Sequence, residues 1–183
     1  MLFVPTPNKV FAVNMFPDRS MEHRDKLAWM IEQDGWAIEP VGPHADADPP
    51  VPGYSYTIGL ESSFGFPEVC IFGLTPVAAR GLIGLVVDIV RSGGHVPIGP
   101  LFTGLLDNDL RCALLPVDVE ETADLFGSAK VWHGARDYRV VQLVWPDRGG
   151  WLPWETGYER RLLYAQPVLG STEEVETGPA PSC

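Results

Sequence analysis

Residues 75–94 constrain the fold more than any other stretch of the chain. Thr75 can accept hydrogen bonds at the head of a helix, and Pro76 suits the first helical position, where an amide partner is not needed. An apolar-rich run continues to Arg91 and is closed by Gly93-Gly94. Ala78, Ala79, Leu82, Ile83, Val86, Val87 and Val90 cover a broad face, so this helix is expected at the centre of the core.

The segments around it read as strands. Tyr54 to Leu60 is rich in strand-forming residues, with Tyr54, Tyr56 and Ile58 on one face and Ser55, Thr57 and Gly59 on the other. The first face is bulky and the second small and hydroxylic, with Gly59 leaving room for a ligand or another backbone. Phe64-Gly65-Phe66-Pro67 turns the chain into a compact strand over 68–73. Further strands are expected over 36–41, 101–106, 111–117 and 138–145, the second and third of these flanking the turn Asp107-Asn108-Asp109. A helix capped by Ser20 is expected over 21–34, with Leu27, Met30 and Ile31 as its buried stripe and Gly35 as its C-cap. The acidic segment 118–126 reads as a short helix. The result is an α+β fold, a mainly antiparallel or mixed sheet packed against two or three helices. A Pro-containing lead-in occupies 1–19, with Val10 to Val13 able to pair as a strand. A globular unit spans 20–170, and 171–183, with three Glu and no Lys or Arg, reads as a disordered tail.

Charge narrows the function. Thirteen Lys and Arg against 24 Asp and Glu leave a net charge of −11 in 183 residues, a balance that repels phosphate backbones and argues against nucleic-acid binding. It favours a neutral or cationic ligand. No apolar run is long enough for a membrane helix. Three cysteines without a close pair, and a start without a basic, apolar leader, point to the cytoplasm. Cys70 and Cys112 lie in apolar runs and read as buried. HxH, HExxH, GxGxxG, GxxxxGK[ST] and GxSxG are all absent, so no metal, nucleotide or other cofactor is expected.

The chemistry-bearing residues fall into two stretches. Glu68, between Pro67 and an apolar strand, reads either as a clamp ion-paired with an Arg or as a partly buried general acid. The segment 142–155 places three Trp within ten residues of one another. It reads either as a cap folded over the core or as a pocket wall for an organic ligand. Asp147 reads as a turn cap or, less well, as an acid or base. His95 and His133 follow turns and are the histidines to test for acid–base roles.

Taken in order, Tyr56-Thr57-Ile58-Gly59-Leu60, Pro67-Glu68, Gly73-Leu74, Trp145-Pro146-Asp147 with Gly150 and Pro153-Trp154, and Gln166-Pro167 with Leu169 resemble the domain of unknown function DUF4262. The resemblance spans roughly residues 20–170. It implies a small, soluble, bacterial-type cytosolic protein and supplies no reaction, cofactor or partner. A His often precedes the family's Pro-Glu pair; here Phe66 stands there, and an activity resting on that His would be missing.

Three functional readings follow. The first is a binding or accessory protein for a small molecule or peptide. Its pocket would be lined by Tyr54, Tyr56, Thr57, Trp145, Trp151 and Trp154, with Glu68 and Gln142 as polar anchors. The second is a cofactor-free hydrolase, cyclase or isomerase using Glu68, Asp147, His133 or His95. The third is a homodimer joined through exposed aromatics.

Overall fold

The computed structural model describes residues 21–172 and Val175. The lead-in with its Val10–Val13 strand, the cap at Ser20 and most of the tail lie outside the described residues. The chain forms an α+β fold built on a five-stranded mixed sheet. The strands are β1 (Ala37–Val41), β2 (Tyr54–Ile58), β3 (Glu68–Phe72), β4 (Ala113–Val117) and β5 (Val140–Val144), in the order β1-β2-β3-β5-β4. All neighbours are antiparallel except β3 and β5. The helices are α1 (His23–Asp34), α2 (Leu60–Phe64), α3 (Pro76–Arg91) and α4 (Gly127–His133).

Helix α3 forms as its sequence dictates. Thr75 caps it, its hydroxyl accepting from the Ala78 amide, and Pro76 opens the first turn. Ala79, Ile83, Val86 and Val87 meet Val69 and Ile71 of β3, Leu114 of β4 and Val141 and Leu143 of β5. The opposite sheet face carries Tyr54, Tyr56, Ile58, Cys70 and Phe72. These are covered by Leu27 and Ile31 of α1, by Phe126 and by Ala129 of α4. Coverage of both faces explains why every residue of β2, β3 and β5 is buried.

Two expected elements form differently. Leu101–Leu106 is not a strand: only Phe102 pairs, in an isolated bridge to Cys112, and Gly104 at φ +90° breaks the extended path. The first part of the acidic segment is a turn, because the Asp118 carboxylate accepts from the amides of Glu120 and Glu121. Its last four residues, Ala123–Phe126, form a 3-10 turn, and helix α4 follows. Gly59 makes room, but for a side chain rather than a ligand: a Cβ there would lie 3.0 Å from Ile31 of α1.

Burial shapes the titration of this core. Tyr54 is pushed up to about 12 by desolvation first and by the neighbouring Tyr56, Cys70 and Glu39 next. Burial pushes Cys112 up to about 12, raises Cys70 further, and raises Tyr56, Tyr138 and Tyr158. Each native group therefore holds its proton longer than the unfolded chain does. The stabilisation is complete below the ordinary thiol and phenol values and is lost as pH rises through the raised ones. The urea midpoint at pH 11 should fall below that at pH 8; an unchanged midpoint would contradict the burial of these groups.

Candidate functional site

The strand–turn–strand unit from Tyr54 to Phe72 closes on one carboxylate. Glu68 opens β3 with its side chain wholly buried. Its Oε1 accepts from the Gly59 amide at 2.8 Å, more weakly from the Glu61 amide at 3.4 Å, and contacts His133 Nε2 at 2.9 Å. Its Oε2 accepts from the Thr57 hydroxyl at 2.6 Å and the Leu60 amide at 3.2 Å. Thr57 Oγ1 in turn accepts from the Val69 amide, which locks β2 to β3. A buried carboxylate costs several kcal/mol unless its lone pairs are taken up; here all of them are. An ionised Glu68 can only accept, so in that state the Nε2 of His133 is the donor of their contact.

This arrangement differs from a nucleophile triad. The acid sits in the middle, between Thr57 and His133, whereas an activated hydroxyl needs the base in the middle. The Thr57 proton goes to Glu68, and none of the three reaches the wall of a described cavity. The His133 ring is itself covered by Tyr138, stacked at 4.6 Å between centroids. Beside the cluster, Glu61 accepts from the amide and Nε of Arg139 just before β5, and the Arg139 guanidinium also donates to the Gly65 carbonyl.

The tryptophan stretch is held by a second carboxylate. Asp147 is buried, its Oδ1 accepting from the amides of Gly149 and Trp151 and its Oδ2 from the amide of Glu159. It therefore caps the loop. Glu155 adds a bidentate pair with Arg111, whose guanidinium also donates to the Gly150 carbonyl. Trp151 leans on Gly157, where a Cβ would lie 2.4 Å from its ring. Asp147→Ala should cost about 2–3 kcal/mol, since three amides lose their acceptor in a part-buried loop; chemical denaturation reads this directly.

Gln142 and Gln166 join the C-terminal segment to the sheet. Gln142 donates to the Pro167 carbonyl and accepts from the Leu169 amide. Gln166 accepts from the Trp145 amide and donates to the Trp145 carbonyl and the Tyr158 hydroxyl. Gln166 is a structural centre that the reading of single residues did not select, although the Gln166-Pro167 pair was legible.

The expected aromatic pocket does not assemble. Tyr54 and Tyr56 are packed solid on the α1/α4 face, at 4% and 2% exposure. Trp145 lies toward the α3 face, its indole donating to the Phe72 carbonyl and its ring lining a cavity of about 280 Å³ with Leu74, Leu82 and Leu106. Trp154 lines another of about 330 Å³ with Leu163 and Gln166. Trp151 is partly exposed in its loop, and His95 is exposed in the 95–100 loop, away from Glu68. The two distinctive stretches are separated because β2 turns its tyrosines to one sheet face while Trp145 follows β5 toward the other.

A larger cavity, about 560 Å³, opens between α1 and α4. Leu27, Ala28, Ser128 and Trp132 line it, together with the charged Arg24, Asp25 and Arg136 and with His23, which pairs with Glu39 at 2.8 Å. The sequence reading missed this site because α4 was not expected. The two tyrosines contribute from behind: the Tyr54 hydroxyl donates to the Leu125 carbonyl, and the Tyr56 hydroxyl accepts from the Ser128 amide. With the Glu68–His133 contact at the far end of α4, three tethers fix this wall. Among the described residues the Trp132 indole N–H is buried with no acceptor, a deficit of order 1–3 kcal/mol.

Among the described residues, no group of three or more His, Cys, Asp or Glu is placed to hold a metal ion, and no helix is long and apolar enough to cross a membrane. The fold and its buried carboxylate knots define an α+β domain covered on both faces of its sheet. Residues 30–159 match the family described as Domain of unknown function (DUF4262), and the chain belongs to it. No curated protein and no solved structure matches the chain.

Proposed function

We propose that this chain is a small-molecule binding protein whose site is the cavity between α1 and α4. The observation that carries the reading is the cavity itself. Its volume of about 560 Å³ falls in the range of organic-ligand sites, and its walls combine apolar surface with convergent polar groups. The α4 wall is tied down by Tyr54, Tyr56 and Glu68, which is the preorganisation a binding site needs. An enzyme reading draws less support, because Glu68 offers no free lone pair and Asp147 is occupied by backbone amides. Thermal-shift screening against a metabolite and short-peptide library tests the proposal. A ligand at about 100 times its dissociation constant adds roughly 2.7 kcal/mol, which raises the melting temperature by roughly 5–10 °C. Ala28→Trp, which fills the cavity, should abolish the shift while leaving the fold intact. A hit that survives this substitution would overturn the proposal.

A further inference from the structure

We infer that the ligand of the α1–α4 cavity is a small organic carboxylate with an apolar or aromatic body; the inference rests on the reading of that cavity as a ligand site. The chain as a whole is strongly acidic, yet the cavity carries two arginines against one aspartate. Arg24 comes from α1 and Arg136 from the turn after α4, so the guanidiniums approach from two separate elements. Neither has a carboxylate within ion-pairing distance among the described residues. Arg136 donates through Nε to the His133 carbonyl, which orients the guanidinium and leaves its terminal nitrogens for a ligand. A planar fork of this kind matches a carboxylate in two-point contact. Leu27, Val131 and Trp132 supply apolar surface for the body of the molecule. Asp25 opposes an anion and would favour a ligand whose charge lies on the side of the two arginines.

The surrounding negative field sharpens the choice. Across most of this surface an anion is repelled, so selective binding requires a local reversal of sign. The cavity lining, with Arg24 and Arg136 against Asp25, holds one positive charge in excess. A cation would meet two like charges at the site in order to reach a single carboxylate.

Three probes sharing one body and differing in the head group test this: indole-3-acetate, indole-3-acetamide and tryptamine, titrated by calorimetry into the full chain. The acetate should bind about three- to tenfold more tightly than the amide, the combined effect of two solvent-exposed charge contacts. Arg24→Gln and Arg136→Gln should each remove part of this preference without changing the circular dichroism spectrum, and 0.5 M KCl should weaken it. Equal or tighter binding of the amide or amine, abolished by Ala28→Trp, would overturn the carboxylate inference and leave the cavity as a binding site. Binding of all three that survives Ala28→Trp would overturn both. Silence of the three probes alongside an uncharged or cationic library hit sensitive to Ala28→Trp would also overturn the carboxylate inference alone.

Discussion

Replacing Glu68 with Ala should destabilise the protein by about 3–5 kcal/mol, a large share of the 5–15 kcal/mol that holds a typical domain together. The carboxylate lies between β2, α2, β3 and α4, and its loss orphans the Thr57 hydroxyl, the amides of Gly59 and Leu60, and His133 in one buried space. Water cannot enter to satisfy them without opening the packing of Leu60 and Val69, both fully buried. Glu68→Gln separates shape from charge. It fills the same volume but turns an amide NH2 toward groups that are themselves donors, so about 2–4 kcal/mol should be lost. His133→Ala removes one partner and should cost less than Glu68→Ala. A double-mutant cycle between the two should show coupling of about 0.5–3 kcal/mol. Guanidinium denaturation supplies all four free energies. A Glu68→Gln protein as stable as the parent would show that the knot does not hold the fold.

This knot is built by the Tyr-Thr-Ile-Gly-Leu and Pro-Glu stretches of the chain. Thr57 is the residue that both donates to Glu68 and accepts from Val69, Gly59 supplies the φ of +93° that aims its own amide and the next two at the carboxylate, and Glu68 receives them. The clamp reading of Glu68 was therefore open to sequence, although its partner was expected to be an arginine. The histidine partner is 65 residues away, on a helix that begins at a glycine and carries no apolar stripe of ordinary length. Local pattern cannot announce such a helix, and the cavity it forms with α1 was hidden for the same reason. Helices α1 and α3 and strands β1 to β5 were legible because apolar pattern and the flanking turn or cap residues agree there. Segment 101–106 misled because Leu101, Phe102, Leu105 and Leu106 make it as apolar as a buried strand, while Gly104 and the lack of a partner beyond Phe102 deny it one. The tryptophans misled in another way: their density marks a loop that must be pinned, and Asp147, Glu155 and Gln166 pin it.

Gly73→Ala should be the most damaging single-methyl addition in the motif residues, at about 2–5 kcal/mol. Gly73 ends β3 at φ +75°, a conformation that costs an L side chain roughly 1–2 kcal/mol. Its amide bonds to the Gly53 carbonyl, so the local path cannot relax freely. A Cβ would also lie 2.7 Å from the Ala165 carbonyl oxygen and 3.1 Å from its carbon, and these are backbone atoms that cannot rotate away. Moving Ala165 moves Gln166, whose bonds to Trp145 and Tyr158 tie the C-terminal segment to the end of β5. Overpacking against backbone adds about 1–3 kcal/mol to the torsional cost. Gly65→Ala is the matched control, because Gly65 has φ +68° but open space where its Cβ would go. It should lose only the torsional part. If the two variants unfold at the same denaturant concentration, the close approach at Ala165 carries no energy and the coupling of β3 to the C-terminal segment is lost with it.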